Sequence, residues 1–433
     1  MKIPFNLKGY AYITDNTKLI QNDTIFLKTS QNSHYFDALP NTPEFITPGE
    51  LIKLWDIDNI KVVGVTGTNG KTTVTAAIYS LLLDLGCKPA LQGTRGFFAN
   101  EERLEEKSMT TPSVFETLYH MKQALDKGCD YFIMEVSSHA IEQKRIEDIT
   151  FALKIHTNVT ADHLDYHKTI EEYRRVKSLF FADGTPKLLN KDDIAHITYN
   201  SVNAQSYGVD QPASFKVQAF SLNNGITAYI KHFEDEATFS SPMVGLFNLY
   251  NLMAAIGAAV MLTNKPLQEV CDAVQHFAGV AGRMEVVSSD PLVIVDFAHT
   301  DDGMQQVLQS MKDKTLSVVF GAGGNRDKLK RPRMGAVAGR FASKIYVTSD
   351  NPRDEEPQTI INEILEGLKG KDNVQVFLDR KEAIKSAIDE LRDGEALLIL
   401  GKGDEDYQEI KGVKYHFDDR EIVKEYLAIS KKQ

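Results

Sequence analysis

Cysteine is scarce in this chain of 433 residues, and basic residues are outnumbered by acidic ones. Cys87, Cys129 and Cys271 lie far apart and are odd in number, so we expect neither a disulfide framework nor a cysteine-based zinc site. The formal net charge of -11 argues against the basic surface that sequence-independent binding of DNA or RNA needs. We therefore expect no nucleic-acid partner.

Long apolar runs are also lacking. No stretch approaches the roughly 18 uninterrupted apolar residues of a membrane-spanning helix, and the helical stretch Leu252–Leu262 is short and contains Gly257. Residues Met1–Tyr10 lack the apolar core of a signal peptide. We expect a cytoplasmic chain with no membrane segment. Its length and its 42% of hydrophobic residues suffice for two or three domains, each with its own core.

The residues Gly64–Thr73 (GVTGTNGKTT) carry the strongest chemical signal. A short apolar run before them predicts a buried strand, and the apolar residues after them recur at helical spacing. A glycine-rich turn between a strand and a helix, with Gly-Lys-Thr at the junction, is typical of a phosphate-binding loop. Gly67 and Gly70 would let backbone N–H groups point at phosphate oxygens. Lys71 would reach the β- and γ-phosphates, and Thr72 would offer its hydroxyl to Mg²⁺.

The spacing of this loop departs from the standard pattern. Five residues separate Gly64 from Gly70 instead of the usual four, although the spacing fits when it is counted from Val65. The alternative is an ordinary glycine turn before a helix, which the Gly-Lys-Thr-Thr run disfavours. We predict ATP binding, whereas the type of enzyme has to be inferred from other residues.

The order of strands and helices predicts an α/β chain of three domains. Residues 1–58 contain one clear strand, Thr24–Leu27, and predict a short N-terminal domain. Residues 59–281 alternate strands with helices, which predicts a central ATP-binding domain on a parallel sheet, with an antiparallel hairpin that turns at Asn223-Asn224-Gly225. Residues 282–433 predict a doubly wound α/β domain. Its predicted strands are Leu292–Asp296, Leu316–Phe320, Lys344–Thr348, Val374–Phe377 and Ala396–Leu400.

Polar residues follow the predicted strands of the central domain. Glu135 ends an apolar strand, where a carboxylate near a phosphate loop is well placed to hold Mg²⁺; a helix-capping contact is the alternative. Residues 156–167 hold three histidines and two aspartates but lack the cysteine partners and helical spacing of familiar zinc sites. One histidine ligand to a hard cation is the simpler interpretation. Lys177 lies in a helical pattern, which alone predicts a solvated lysine.

Two loops of the C-terminal domain suggest a site for a zwitterion. Asp350-Asn351-Pro352-Arg353 follows the strand that ends at Thr348, and Gly401–Glu405 follows the strand that ends at Leu400. Ligands of such sheets bind at the carboxyl ends of the strands. Arg353 would there bind a carboxylate with its planar guanidinium, and Glu405 would bind an ammonium. Either residue alone is more often a surface charge.

Six short motifs follow one another along the chain. They are GTNGKTT at 67–73, Glu135-Val136-Ser137-Ser138-His139, Asn158–His163, Gly245-x-x-Asn248-x-x-Asn251, Gly282-Arg283-Met284-Glu285 and Asp296-Phe297-Ala298-His299. In this order they resemble the motifs of the Mur ligases, the ATP-dependent amide ligases of peptidoglycan precursor synthesis. The resemblance covers residues 60–430. Within the family, Asp350–Arg353 matches the branch that adds meso-diaminopimelate, so the branch that adds L-lysine is disfavoured.

The resemblance implies a nucleotide site with bound Mg²⁺. The residues implied to bind ATP are Gly67, Thr68, Asn69, Gly70, Lys71, Thr72 and Thr73, with Asn251, Arg283 and Asp296 closing over the nucleotide from both domains. Those implied to hold Mg²⁺ are Thr72, Glu135, His163 and Lys177. The family lysine at the position of Lys177 is carbamylated, and a carbamate is an anion able to hold a second Mg²⁺. The resemblance thus replaces the prediction that Lys177 is a solvated helix lysine. The catalytic residues that it implies are Lys71, Lys177 and His163.

The resemblance also implies two small-molecule substrates besides ATP. UDP-MurNAc-L-Ala-D-Glu is expected to contact Thr110, Thr111, Ser137, Gln143 and Arg145. meso-Diaminopimelate is expected to contact Arg326, Asp350, Asn351, Arg353, Gly401 and Glu405. The terminal carboxylate of the first would become an acyl phosphate, which the amine of the second then attacks. A monomer is expected.

Some positions depart from the family pattern. The usual Asp-Ser-Arg near the N-terminus has at best the counterpart Asp15-Asn16-Thr17, and residues 1–58 are fewer than is usual, so no uridine contacts are assigned. Asp404 stands where a histidine is common, and Asp301 where a proline is. The alternatives are the lysine-adding ligase, a ligase like folylpolyglutamate synthetase, and a phosphate-loop switch or motor, which would need no amino-acid pocket.

Overall fold

The computed structural model describes residues 1–7, 9–106, 109–223 and 225–430, apart from the side chains of Asp165, Ile429 and Ser430. Asn224, in the predicted hairpin turn, lies outside the described residues. The chain divides into two units. The first unit comprises Met1–Ser221, Thr227–Ser241 and Leu249–Phe277, and the second comprises Leu222–Ile226, Pro242–Asn248 and Ala278–Gln433. Residues 1–58 thus belong to the same unit as most of the central region, and the division into three domains stays a prediction.

The N-terminal residues of the first unit form a sheet of their own. Its strands, in spatial order, are β1 (Lys2–Leu7), β2 (Tyr10–Thr14), β3 (Thr24–Leu27) and β4 (Phe45–Ile46), with helices α1 (Ser33–Asp37) and α2 (Pro48–Leu54). Strand β3 has the predicted bounds, whereas β1 and β2 were not predicted. Alternation along β1 buries Ile3 and Phe5, which join the same hydrophobic core as the central sheet.

A larger sheet forms the centre of the first unit. Its strands are β5 (Lys61–Thr66), β6 (Pro89–Gly93), β7 (Gly96–Ala99), β8 (Glu102–Glu105), β9 (Tyr131–Glu135), β10 (Phe151–His156), β11 (Lys187–Asn190), β12 (Ala204–Gly208), β13 (Phe215–Ser221), β14 (Ile226–His232) and β15 (Asp235–Ser241). Their spatial order in the described residues is β15-β14-β13-β12-β11-β10-β5-β9-β6-β7-β8. The strands from β12 to β6 are parallel, and β13 and β14 form the predicted antiparallel hairpin.

The position of β5 in this order locates the phosphate loop. Strands β9 and β10 flank β5 in parallel, so the residues that follow all three strands meet at one edge of the sheet. The helices of this region are α3 (Lys71–Asp84), α4 (Val114–Asp126), α5 (Ser138–Glu142), α6 (Leu164–His167), α7 (Ile170–Leu179), α8 (Leu246–Thr263) and α9 (Leu267–Ala273). The phosphate loop connects β5 to α3, as predicted.

Helix α8 is longer than the predicted stretch Leu252–Leu262. Its 18 residues have a mean hydropathy of 1.6, so by length and composition it could cross a membrane, and 72% of it is buried inside the protein. A side chain at Gly257 would approach Leu188 and Phe215 to 2.9 and 3.2 Å, because the helix packs closely on the sheet there. A single apolar helix that is mostly buried is a weak indication of a membrane span.

The second unit contains another α/β sheet. Its strands are β16 (Glu285–Ser289), β17 (Leu292–Asp296), β18 (Leu316–Phe320), β19 (Lys344–Thr348), β20 (Val374–Phe377) and β21 (Ala396–Leu400), followed by the hairpin β22 (Tyr407–Ile410) and β23 (Val413–His416). The helices are α10 (Asp301–Ser310), α11 (Lys330–Phe341), α12 (Pro357–Leu365), α13 (Arg380–Asp389) and α14 (Asp419–Ser430). The spatial order of the main sheet is β16-β17-β21-β18-β19-β20, and all five predicted strands have their predicted bounds.

Helices cover both faces of this second sheet. Alternate strand residues belong to two separate hydrophobic clusters, one shared with α10, α11 and α12 and the other with α13 and α14. This arrangement confirms the predicted doubly wound fold. Short 3₁₀ turns occur in the chain at Thr17–Leu19, Ile57–Asn59, Ile194–His196, Val274–His276 and Glu366–Leu368.

Candidate active site

The glycines of the phosphate loop are required by close contacts. A Cβ atom at Gly67 would lie 1.8 Å from Oγ1 of Thr157, and one at Gly70 would lie 2.5 Å from Oδ1 of Asn251. Gly70 also has a φ of +86°, which favours glycine. Predicted nucleotide residues Gly70 and Asn251 are therefore in direct proximity, although they are far apart in sequence.

The loop is held against the residues that follow β10. The amide of Thr68 donates to the carbonyl of Asn158 at 2.7 Å, and the amide of Asn69 donates to Oδ1 of Asn158 at 2.9 Å. Helix α3 begins at Lys71, and Gly70 before it supplies no side-chain cap. A helix start of this kind suits an anion such as a phosphate group. Thr73, in the first turn, is buried.

Lys71 folds back across the loop. Its Nζ donates to the carbonyl oxygens of Gly67 and Thr68, both at 2.9 Å. The side chain is half-buried. An ammonium in this position lies over the loop that is expected to hold phosphates, and a phosphate oxygen could replace either carbonyl as its acceptor.

Glu135, at the end of β9, lies beside the start of α3. Its Oε2 accepts a hydrogen bond from Oγ1 of Thr72 at 3.0 Å, and its Oε1 accepts one from the amide of Thr94 at 2.9 Å. The carboxylate is 2% exposed. The cap of the following helix, α5, is Ser137 and not Glu135. The hydroxyl and carboxylate predicted to hold Mg²⁺ are together, and both are oxygen donors suited to that ion.

Lys177 is buried, contrary to the expectation from its helical pattern. Its side chain is 1% exposed, and Nζ donates to the carbonyl of Gly67 at 2.9 Å. Helix α7 turns the face with Tyr173, Val176 and Lys177 inward, and Nζ lies 4.8 Å above the ring of Tyr173. Among the described residues no carboxylate forms an ion pair with it. Burial lowers the pKa of Lys177 well below its usual value, and the charge of Lys71 lowers it further, while the charge of Asp162 opposes this.

His163 lies at the start of α6, in a left-handed conformation with a φ of +55°. Its half-exposed ring contacts the ring of His139 edge-on at 5.0 Å and lies 6.3 Å from that of Tyr173. Partial burial lowers the pKa of His163 and Lys71 adds to this effect, while Asp162 opposes it. A neutral imidazole is the form that binds metals. The ring thus shares a neighbour, Tyr173, with Lys177.

The residues predicted to contact the uridine substrate form one hydrogen-bond network. The hydroxyl of Thr111 donates to the carbonyl of Glu135 at 2.9 Å and accepts from the amide of Ser137 at 3.0 Å. Arg145 donates to the carbonyl of Thr111 at 2.8 Å and to Oε1 of Gln143. Thr110 joins through its hydroxyl, 3.2 Å from that of Thr94. All five predicted residues are therefore brought together next to Glu135.

Two predicted nucleotide residues lie in the second unit. Asp296, at the end of β17, accepts hydrogen bonds from the amides of Met284 and Ala298 at 2.8 and 2.7 Å. The guanidinium of Arg283 stacks 4.3 Å above the ring of Phe297. Burial raises the pKa of Asp296, while Arg283 lowers it. Both residues thus lie at the carboxyl edge of the second sheet.

The arginines of the predicted diaminopimelate site share one glycine. A Cβ atom at Gly323 would lie 3.0 Å from Nη1 of Arg353 and 3.6 Å from Cγ of Arg326. Arg353 donates through Nη1 to the carbonyl of Gly324 at 2.8 Å and through Nε to Glu409 at 3.3 Å. Arg326 is exposed. The two guanidinium groups follow adjacent strands, β18 and β19.

The acidic residues of the same site surround a buried lysine. Oε2 of Glu405 accepts from Nδ2 of Asn351 at 2.8 Å, and a Cβ atom at Gly401 would lie 2.6 Å from Oδ2 of Asp350. Nζ of Lys402, with no exposed surface, lies 3.4 Å from Glu405 and 3.9 Å from Asp350. Burial raises the pKa of Glu405, and Lys402 opposes that effect. All six predicted residues therefore lie after the neighbouring strands β21, β18 and β19.

Sequence reasoning missed several residues of these sites. Lys402 links the acidic residues of the second unit, and Glu409 positions Arg353. In the first unit, Thr94 donates to Glu135, and Tyr173 contacts the hydroxyl of Thr68 at 3.1 Å. Of these residues, Lys402 alone had a recognisable sequence pattern, because it lies between two glycines directly after the apolar strand β21. The other residues carry no local pattern.

Comparison with known proteins gives consistent matches over the whole chain. Residues 65–259 match the model of the Mur ligase middle domain, and residues 282–403 match that of the Mur ligase, glutamate ligase domain. A protein of Wolinella succinogenes named UDP-N-acetylmuramoyl-L-alanyl-D-glutamate--2,6-diaminopimelate ligase is 50% identical over 98% of both chains. A Helicobacter hepaticus protein of the same name is 46% identical, again over 98% of both. A solved structure with that name has a TM-score of 0.69 at 28% identity and covers 97% of this chain and 95% of its own.

Proposed function

Because this chain belongs to the Mur ligase family, we propose that it joins meso-diaminopimelate to UDP-MurNAc-L-Ala-D-Glu with ATP as the energy source. Relatives that are 46–50% identical over nearly their full length carry the name of this ligase. The reaction belongs to peptidoglycan precursor synthesis. A monomeric enzyme in the cytoplasm is part of the same proposal.

The first unit supplies the groups that would bind the nucleotide. Lys71 would neutralise the β- and γ-phosphates, and Asn251 next to Gly70 would contact the nucleotide at the end of the loop. Thr72 and Glu135 would hold Mg²⁺, with His163 as a nitrogen ligand. When bound, Mg²⁺ screens the repulsion between the attacking carboxylate and the phosphate oxygens. The buried pair of Thr72 and Glu135, 3.0 Å apart, supports this assignment.

Lys177 would act as a carbamate. A neutral amine attacks CO₂ and loses a proton, so that the uncharged amine becomes an anionic carbamate. Burial and the neighbouring charge of Lys71 keep the pKa of Lys177 low and therefore favour the reactive neutral amine. An anion here would hold a second Mg²⁺, and it would be attracted to Lys71. This role is compatible with the lack of a carboxylate partner for Lys177 among the described residues.

The observation that carries the proposal is the cluster of Arg353, Asn351 and Glu405 in the second unit. Guanidinium groups bind carboxylates through two parallel hydrogen bonds, and carboxylates bind ammonium groups. meso-Diaminopimelate offers both groups at each of its ends. A nucleotide switch or motor would have no use for such a site. The site therefore favours a ligase over a hydrolase that moves a partner.

The proposed reaction has two steps. The terminal carboxylate of UDP-MurNAc-L-Ala-D-Glu attacks the γ-phosphorus of ATP, which forms an acyl phosphate and releases ADP. The neutral amine of diaminopimelate then attacks the acyl carbon, and the tetrahedral intermediate expels phosphate and a proton to leave the amide. Lys71 would stabilise the negative charge that develops on the transferred phosphoryl group.

Phosphate release in the presence of ATP tests this function. We expect release only when UDP-MurNAc-L-Ala-D-Glu and an amino acid are both present, because the acyl phosphate is consumed by the amine. Release with ATP alone would favour a switch or motor. Dependence on a folate in place of the uridine substrate would favour the folylpolyglutamate synthetase-like alternative, which the network around Thr111 and the Asp350–Arg353 motif disfavour.

A further inference from the structure

One end of the central sheet carries a row of three side chains that the proposed reaction does not use. Gln92 of β6 pairs with Phe97 of β7, and Phe97 pairs with Glu105 of β8. Direct cross-strand partners point to the same face of a sheet. Helix α4 covers this face and buries His120 completely.

Two contacts orient the imidazole of His120. Its ring stacks on that of Phe97, with centroids 4.3 Å apart and planes 10° apart. Its Nδ1 lies 2.7 Å from Oε1 of Gln92, whose Nε2 donates to the hydroxyl of Thr117 at 3.2 Å. In the tautomer that carries the proton on Nδ1, this nitrogen donates to the amide oxygen of Gln92. The lone pair of the neutral ring is then on Nε2. Histidines that bind metals are held in this way by a second partner.

Within the described residues, Nε2 of His120 has no hydrogen-bond partner. This nitrogen is buried, yet Oε1 of Glu105 is only 3.1 Å away. A lone pair and a carboxylate oxygen at this distance repel each other unless a proton or a metal ion lies between them.

The geometry points to a divalent-cation site of the zinc class formed by Glu105, Glu116 and His120. Glu116 lies one helical turn before His120 on α4, and the ligand atoms of the three residues lie within 4.8 Å of one another. Ligand atoms about 2.0–2.2 Å from a tetrahedral zinc ion are about 3.3–3.6 Å apart, close to the separation of Nε2 and Oε1. One imidazole with two carboxylates suits Zn²⁺ better than Mg²⁺, which prefers oxygen ligands alone. Glu105 is exposed, so water can supply a fourth ligand.

An ion in this position would connect the edge strand β8 to the first turns of α4. The chain between Glu105 and Glu116 includes Thr110 and Thr111, which belong to the network around Glu135. The ion would therefore anchor the ends of that segment. This structural role is separate from the Mg²⁺ of the nucleotide site, and its test does not depend on the proposed ligase activity.

Metal binding to the full chain tests the site. The protein is first freed of metal with a chelator, and Zn²⁺ binding is then measured by calorimetry in excess Mg²⁺, with Co²⁺ as a spectroscopic probe. We expect one ion per chain, the absorption of four-coordinate Co²⁺, and binding weakened at least about tenfold in Glu105→Gln. Glu102→Gln is the matched control, because Glu102 lies on the same strand but pairs with Lys127 at 2.6 Å. It should bind Zn²⁺ like the wild type.

A second readout guards against misfolding. Zn²⁺ should raise the melting temperature of the wild type and of Glu102→Gln, but not that of Glu105→Gln or Glu116→Gln. Both carboxylates lie outside the buried core, so the test does not require a variant of His120 to fold. Unchanged Zn²⁺ affinity in both carboxylate variants would mean that the ion binds elsewhere. Absence of Zn²⁺ binding to the wild type would overturn the site and would mean that a proton, and not a metal ion, lies between His120 and Glu105.

Discussion

Two buried lysines, one in each unit, have opposite surroundings. Lys177 in the first unit is 1% exposed and donates to the carbonyl of Gly67, with no carboxylate ion pair in the described residues. Lys402 in the second unit has no exposed surface and lies 3.4 Å from Glu405 and 3.9 Å from Asp350. Among the described residues, the first lysine has no carboxylate in ion-pair contact, although the charge of Asp162 acts on it, whereas the second has two carboxylates in contact.

This difference indicates that the role of a buried lysine depends on whether carboxylates contact its amino group, and not on burial alone. Burial without a counter-charge favours the neutral amine, which can react. Burial between carboxylates favours the ammonium, which holds those carboxylates in position. We therefore interpret Lys177 as a residue that becomes modified and acts in catalysis. Lys402 is a positioning residue of the proposed acceptor site.

The largest effect is expected from Lys71, the lysine of the phosphate loop, whose charge acts on Lys177. Lys71→Ala should lower ATP-dependent phosphate release by at least roughly a thousandfold, the scale of removing a main electrostatic stabiliser. Lys88→Ala, which removes an exposed lysine just beyond α3, is the control and should retain full activity. If Lys71→Ala kept a tenth of the wild-type rate, the phosphate-loop assignment would be wrong.

Replacing each of the two buried lysines by methionine should change the free energy of unfolding differently. Lys402→Met should lower the free energy of unfolding by about 3 kcal/mol, because it leaves Asp350 and Glu405 without their buried cation. Lys177→Met should leave the stability unchanged or raise it, because in the described part of the chain no carboxylate forms an ion pair with Lys177. Chemical denaturation in buffer free of CO₂ measures both. Equal losses in the two variants would contradict the comparison.

The pH dependence of the free energy of unfolding, measured in the same experiment, tests whether the pKa of Lys177 is lowered. The folded pKa of Lys177 lies below the unfolded value of about 10.4, so between these two values the unfolded chain binds a proton that the folded chain does not. The contribution of Lys177 to the free energy of unfolding of the wild type therefore rises with pH between its folded and unfolded pKa values, and it falls as the pH decreases. The advantage of Lys177→Met over the wild type should shrink as the pH is raised from 7 to about 9. A constant difference would mean that the pKa of Lys177 is not lowered.

The modification of Lys177 has a chemical test of its own. Lys177→Ala should lose at least about a hundredfold in activity, because the negative charge of the carbamate is missing. Short-chain carboxylic acids should partly restore it, and removal of bicarbonate should lower wild-type activity. Lys402→Ala is the contrast and should show no rescue by these acids. Full activity of Lys177→Ala would return this side chain to a purely structural role.

A smaller effect is expected at the acceptor site. Arg353→Lys keeps the charge but loses the planar pair of donors. It should raise KM for diaminopimelate by roughly ten- to a hundredfold, since bonds to charged groups contribute about 1.5–3 kcal/mol. KM for ATP should stay within about twofold if the two sites act separately. Arg340→Lys, at an exposed position of α11, should change neither constant. Equal changes in both constants would assign Arg353 to a role other than acceptor recognition.

The second unit was predictable because its strands are local features. Strands β17, β18 and β21 are mostly apolar runs of five residues; β17 ends at Asp296, and a glycine follows each of the other two, so their bounds could be predicted from the sequence alone. Strand β1 escaped prediction because its alternation covers only six residues, of which Ile3 and Phe5 are buried, and because Pro4 interrupts it. Local alternation of this kind is too short to identify a strand.

The sequence motifs predicted which residues would lie near one another, but not the contacts among them, and the roles of these residues stay predictions. Lys71 contacts the loop after β5, Glu135 contacts Thr72, and Arg353 lies beside the loop after β18. Lys177 is buried because α7 turns the face with Val176 and Lys177 toward the core. The sequence does not show that orientation, because a lysine in a helix is usually exposed to solvent. The contact between Lys402 and Glu405 likewise forms only when the loop after β21 folds back. Tertiary packing decides both.

A screen of amine acceptors tests the central claim most directly. Phosphate release would be measured with ATP, UDP-MurNAc-L-Ala-D-Glu and either meso-diaminopimelate, L-lysine or L-glutamate. We predict that diaminopimelate has the highest kcat/KM, by roughly tenfold or more over L-lysine, because L-lysine lacks the second carboxylate that Arg353 would bind. If L-lysine proved the better acceptor, the assignment of the Asp350–Arg353 cluster to diaminopimelate would be contradicted.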